Sequence, residues 1–221
     1  MLGLPRSLPA LLLLLSAVPA LAPAQERNVN YELLAASRKG SVSSVRDLLD
    51  RGASADSRDR NGDTPLNIAA RSGQIALTKL LLEHGAAVDL ANLAGVTPLM
   101  TASFNGQDAV VHQLLERGAD LGRVDRVNKT AMVYAAGNGH TECVRALLDA
   151  GVNVNTRYRN DLTALMWAAA YGQAATVQLL LDRGADAAAR DNRGKTAHLM
   201  AVEERHADVV ELLRAAGASK R

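Results

Sequence analysis

The sequence predicts an all-α repeat solenoid, and three registers of one period predict it. Threonines recur at Thr64, Thr97, Thr130, Thr163 and Thr196. Glycines recur at Gly40, Gly73, Gly106, Gly139 and Gly172, and again at Gly52, Gly85, Gly118, Gly151, Gly184 and Gly217. All three series advance by 33 residues with no insertion. Such a period marks stacked units, each too small to bury its own apolar face, and it overrides the prior of one or two domains for a chain of 221 residues.

Residues 1–24 read as a leader outside this array. Arg6 supplies a short positive region, residues 8–21 form an apolar run, and Ala22-Pro23-Ala24 places small residues where a signal peptidase cuts. The run is 14 residues and contains Pro19, whereas a membrane span needs about 20. Cleavage after Ala24 and an exported chain, periplasmic or secreted, without stable membrane insertion, are expected. No cysteine near the cut suits a lipoprotein, and no twin-Arg signal is present. Residues 25–28 read as a polar lead-in. The repeats follow at 29–58, 59–91, 92–124, 125–157, 158–190 and 191–218, with 219–221 as a tail.

Each unit can be built from local physics. Thr64 is placed to cap a helix, its hydroxyl accepting an amide of the first turn. Pro65 occupies the first helical position, where a missing amide is harmless. Leu66, Ala69 and Ala70 face inward, and Gly73 ends the helix in a left-handed conformation. A second helix presents Ile75, Leu77, Leu80 and Leu81 as an apolar stripe and ends at Gly85. A projecting loop turns at Gly62, Gly95 or Gly194. Asn128 and Asp161 stand in its place in repeats four and five, and both tolerate a left-handed turn.

Repeat one lacks Thr-Pro-Leu and reads as an N-terminal cap. Ala131, Ala164 and Ala197 replace proline later in the chain. In repeat six His198 takes the place of Leu66, Leu99, Met132 and Leu165, and Arg205 replaces the helix-ending glycine. A side chain in a left-handed turn costs roughly 1–2 kcal/mol, which predicts that this helix runs on or frays.

Thr64-Pro-Leu-Asn-Ile-Ala-Ala-Arg-Ser-Gly73 followed by Leu81-Leu-Glu-His-Gly-Ala86 resembles the ankyrin repeat family, and the likeness covers residues 29–218. The resemblance implies helix-loop-helix units with projecting β-turn loops. It also implies protein partners held on the concave face: the loop tips and the exposed positions of the first helices. Carried over by register, the positions singled out are Leu93, Val96, Phe104 and Asn105 in repeat three, Arg126, Lys129 and Asn138 in repeat four, Arg159, Leu162 and Tyr171 in repeat five, and Arg193 in repeat six.

Two features of these positions stand apart. Aromatics make up 3% of the chain, yet Phe104, Tyr134, Trp167 and Tyr171 all fall in the first helices of repeats three to five, beside an apolar tip of Leu93, Ala94 and Val96. Clustered exposed apolar residues mark interaction sites. Tyr134 and Trp167 share a slot that suits packing between helices, which leaves Phe104 and Tyr171 for contact. The later tips also carry Arg123, Arg126, Lys129, Arg157, Arg159, Arg190, Arg193 and Lys195 against Asp125, Asp161 and Asp191, an edge suited to an acidic partner.

Catalytic chemistry finds little footing. His140 and Cys143 lie three apart, but Cys143 sits in a slot of Ile75- and Val110-like apolar residues and suits burial. The five histidines form no ligand pair, so neither metal nor cofactor is expected. One cysteine forms no internal disulfide. The net charge of +2 argues against a nucleic-acid binder. Asn128-Lys-Thr130 is a formal glycosylation sequon, but the repeat already accounts for Thr130. Arg exceeds Lys 20 to 5, as in GC-rich bacterial genomes. The expectation is a monomeric, non-catalytic binding module. The alternatives are an effector or scaffold acting on a host protein and an envelope enzyme using Cys143.

Overall fold

The computed structural model describes residues 23–218. The expected leader at 1–22 and the tail at 219–221 lie outside the described residues. Twelve α-helices form six antiparallel pairs among the described residues. These are α1 (Pro23–Lys39) with α2 (Val42–Asp50), α3 (Pro65–Arg71) with α4 (Ile75–Glu83), α5 (Pro98–Asn105) with α6 (Asp108–Glu116), α7 (Ala131–Gly137) with α8 (Thr141–Asp149), α9 (Ala164–Ala170) with α10 (Ala174–Asp182), and α11 (Ala197–Glu203) with α12 (Ala207–Ala218). Each first helix packs on the first helices before and after it, and each second helix does likewise, giving two stacked layers. The core runs unbroken along the stack, through Leu33, Leu66, Leu99, Met132 and Leu165 in one layer and Leu48, Leu81, Leu114, Leu147 and Leu180 in the other.

The helix starts follow the threonine register. Thr64, Thr97, Thr130, Thr163 and Thr196 all cap, their hydroxyls accepting from Asn67, Met100, Val133, Met166 and Leu199. Each cap contributes about 1 kcal/mol. Ala131, Ala164 and Ala197 therefore leave the starts in place, since the cap and not the proline defines them.

The helix ends are constrained twice. Gly106 has φ 69 and Gly172 has φ 70, a region open mainly to glycine. A Cβ at Gly106 would also lie 2.5 Å from His140 Nδ1, and one at Gly172 would lie 2.6 Å from His206 Nδ1. The residue after each such glycine thus locks one repeat to the previous one. His140 Nε2 meets Phe104 O at 3.0 Å, Gln173 Nε2 donates to Gly137 O at 3.2 Å, and His206 Nε2 meets Ala170 O at 3.2 Å.

Several expectations need correction. Helix α11 neither runs on nor frays: it stops at Glu203, and Arg205 adopts φ 62 in place of the glycine. Among the described residues no following repeat presses on Arg205, which leaves the backbone strain. The turn bonds Arg205 N to Val202 O and His206 N to Ala201 O hold it. Gly217 lies inside α12 instead of ending it. Ile75 is exposed at the start of α4, and the equivalents of Cys143 are Val110 and Leu77, both fully buried. Residues 25–28 are not a separate lead-in but belong to α1, whose first turn contains Ala24. Asn128 and Asp161 do turn left-handed, with φ 62 and φ 60.

Candidate partner-binding surface

Loop tips two, three, four and six are each held by one side chain at their base. Asp59 Oδ1 accepts from the amides of Asn61 and Asp63 at 2.8 and 3.0 Å. Asn92 Oδ1 accepts from Ala94 and Val96 at 2.9 and 3.0 Å. Asp125 and Asp191 repeat the arrangement with Val127 and Lys129, and with Arg193 and Lys195. Burial alone would raise the Asp191 carboxyl, but the Lys195 amide, the Arg193 guanidinium and the Arg193 amide outweigh it and hold the group below its ordinary range. Asp59 is lowered on the same balance, by the amides of Asp63 and Asn61 and by Arg38.

This consumption of carboxylates decides the charge of the edge. Asp63, Asp125 and Asp191 are buried. Asp63 is covered by Arg71 at 2.6 Å and Asn92 at 2.8 Å, so it does not sit at the tip surface. Some cations are consumed as well: Arg193 pairs with Asp191 at 2.9 Å and Lys195 with Glu203 at 2.6 Å. Arg126 and Arg159 make no ion pair among the described residues. The uncompensated positive charge therefore narrows to repeats four and five.

Beside it the first helices carry a line of aromatic rings. Phe104 meets Tyr134 edge-on, with centroids 5.5 Å apart. Trp167 stacks on Tyr171 at 6.0 Å. Lys129 joins the two pairs, its Nζ 4.9 Å from the Trp167 centroid and 5.4 Å from that of Tyr134, a cation–π arrangement. The Tyr134 hydroxyl donates to Asp125 Oδ2; burial first, then that carboxylate, pushes its phenol well above the ordinary value. Tyr134 and Trp167 are half-buried against the core, while Phe104 and Tyr171 are 51% and 57% exposed at the two ends of the line.

The predicted positions thus divide. Leu93, Phe104, Arg126, Arg159 and Tyr171 present exposed side chains at the surface. Lys129, Asn138, Asn105 and Arg193 are engaged within the protein: Asn138 Nδ2 donates to Phe104 O, and Asn105 Nδ2 donates to Thr101 O. Val96 and Leu162 are half-buried. Sequence reasoning missed Val124, exposed at the base of loop four. It also missed the inter-repeat locks His140, Gln173 and His206, whose own 33-residue register was the available signal.

Cys143 offers no nucleophile. It is fully buried. Burial, then Asp108 and Glu142, pushes its thiol up to about 12, so the neutral form prevails at pH 7. Among the described residues no cluster of three or more potential ligands could hold a metal, and no helix is long and apolar enough to cross a membrane.

The stacked helix pairs and projecting tips define a repeat-array scaffold that offers a continuous surface. The chain belongs to the ankyrin repeat family, matching the family described as Ankyrin repeats (3 copies) over residues 33–125, 111–191 and 157–221. Ankyrin repeats generally mediate protein–protein interaction. Among solved structures, the human ASB11 ankyrin repeat domain is similar, with a TM-score of 0.77 and 29% identity over 84% of this chain and 83% of that one. The ankyrin repeat protein EF0377 is similar with a TM-score of 0.76 and 28% identity, over 84% of this chain and 97% of that one. Comparison with curated proteins returns no match.

Proposed function

We propose that the chain is a non-catalytic protein-binding module, exported and soluble, that holds its partner along the first helices and tips of repeats three to five. The observation that carries the reading is the aromatic line from Phe104 to Tyr171, open at both ends beside Leu93 and flanked by the unpaired Arg126 and Arg159. Rigid aromatic anchors rimmed by charge are the usual composition of binding hot spots. The unpaired cations favour a partner with an acidic surface and faster encounter at low salt.

The test is partner capture in the native host. The tagged chain is crosslinked in place beside a Phe104→Ala/Tyr171→Ala variant, and the bound proteins are identified. The expected result is a protein captured by the wild type and lost with the variant. Equal capture by both removes this surface from the proposal. Export and cleavage after Ala24 are read from the N-terminus of the mature protein, expected at Gln25. The monomeric state is read by light scattering.

A further inference from the structure

Successive tips are joined by a ladder of backbone bonds. The amides of Leu93, Arg126 and Asn192 donate to Asn61 O, Ala94 O and Asn160 O, each at 3.0 Å. The same register calls for Arg159 N–H to meet Val127 O, and among the described residues that rung is missing. The cause is one residue. At the base of tip five, Tyr158 replaces the Asp or Asn of the other tips, so no side-chain oxygen gathers the amides. Two consecutive left-handed residues, Asn160 and Asp161, make the turn instead. The Tyr158 ring packs against the core, with its hydroxyl on Thr130 and Thr156.

Tips four and five are therefore parted by a cleft open on both sides. One side has a volume of about 610 Å³ and is lined by Leu121, Val124 and Val152 together with Arg157. The other, about 200 Å³, faces Val133 and Trp167 of the first helices. Asn128, Tyr158 and Arg159 line both. An unpaired donor and acceptor on facing backbones form a template for an added strand, with affinity from the main chain and selectivity from the flanking pockets.

We propose that the missing rung receives an extended segment of the partner, whose backbone bonds Arg159 N–H and Val127 O. An acidic side chain of that segment meets Arg126, Arg157 and Arg159, and an apolar one fills the Leu121–Val124–Val152 side. This rests on the protein-binding reading above and adds where the partner enters and with what chemistry.

The experiment closes the cleft. Tyr158→Asp with Asp161→Gly gives tip five the base and turn residues of the other tips and should form the missing rung; because it also removes the packed Tyr158 ring, its folding is verified by urea unfolding before binding is read. The probes are labelled synthetic peptides of about seven residues, a short strand's length, carrying Asp or Glu beside Leu or Val, with Lys-for-acid counterparts. They are titrated against the full chain, the closed variant, and Arg126→Glu/Arg159→Glu. Acidic–apolar peptides are expected to bind the wild type and to weaken at least about tenfold on both variants, while the Arg159 amide gains exchange protection in the closed one.

No binding of any acidic–apolar peptide to the wild type overturns the proposal. So does unchanged binding by a variant whose Arg159 amide has become protected. A native partner lost with Phe104→Ala/Tyr171→Ala but kept by the closed variant overturns the cleft alone. Peptide binding that vanishes on closure, with native capture indifferent to Phe104 and Tyr171, supports the cleft and removes the first-helix surface.

Discussion

Tip five and the tips on either side of it solve the same problem with different chemistry. Tips two, three, four and six each bend around a buried or half-buried Asp or Asn that accepts two amides of its own loop. Tip five bends around Tyr158, which has no acceptor to offer those amides and spends its bulk on packing. Polar satisfaction gives the first group a fixed backbone, so each amide lies where the neighbouring tip can use it. Apolar packing fixes only the base of tip five, and the backbone above it adopts two left-handed residues and loses its rung. A repeat protein can thus keep its spacing of 33 residues while one unit changes how its loop is held. Such a unit is where a departure from background points to a use.

The largest expected effects come from removing the base residues. Tyr158→Ala takes a half-buried ring from between repeats four and five and should cost about 3 kcal/mol in urea unfolding, the scale of a large-to-small core change. Asp125→Ala should cost about 2 kcal/mol: two amides and the Tyr134 hydroxyl lose their acceptor, though the amides remain close to water. The two losses should also differ in kind. Fluorescence of Trp167, the only tryptophan, should shift with Asp125→Ala, because Lys129, whose amide donates to Asp125, lies over that ring. A shift as large in Asp59→Ala, two repeats away, would break the distinction.

Next in size is backbone strain. Asp161→Gly should stabilise the chain by about 1 kcal/mol, since glycine takes a positive φ without a Cβ penalty. Gly95→Ala should destabilise by at least as much, because its Cβ would also meet Arg126 N and Asp125 Cα, both at 3.2 Å. Arg205→Gly should behave as Asp161→Gly does, which sets repeat six beside tip five as a place where strain goes unrelieved. Equal effects of Gly95→Ala and a matched surface Gly→Ala would show that the crowding between tips carries no weight.

The same residues separate what is legible in the amino-acid sequence from what is not. Caps at Thr64 and its equivalents, left-handed turns at Asn128 and Asp161, and the pairing of helices depend on residues within a few positions of one another, so a period exposes them. The fate of Asp63 and Asp125 depends on neighbours 8 or 9 residues away or 29 away in the next repeat. An aspartate on a loop tip reads as solvated until Arg71, Tyr134 or Asn92 is seen to cover it. Arg205 misled for the opposite reason. Glycine is demanded in the inner repeats by φ and by the side chain of the following repeat together; at Arg205 sequence reasoning charged φ alone, and two turn bonds hold that φ. On the binding surface the aromatic grouping was visible, because first-helix positions are set by register. The missing rung was not, because it is a relation between two loops.

The smallest effect separates the tips by acid. Asp59 and Asp191 are held below the ordinary carboxyl value of 3.8 by the amides they gather. A group whose folded pKa is depressed contributes stability that is complete above its unfolded value and is lost as pH falls through the folded one. Acidification from about pH 5 to about pH 2 should therefore release tips two and six in a step below the ordinary range. The amide resonances of Asn61, Asp63, Arg193 and Lys195 should move together in that step. In tip five the Tyr158 amide donates to Leu162 O, and the Leu162 amide to Arg159 O, with no carboxylate between them. Their resonances should hold still through the same step, because protonation changes the strength of a carboxylate acceptor and leaves a carbonyl as it was. A Tyr158 amide that moved with those of Arg193 and Lys195 would mean that the tips open as one ladder, so that tip five depends on its neighbours' carboxylates despite its own base.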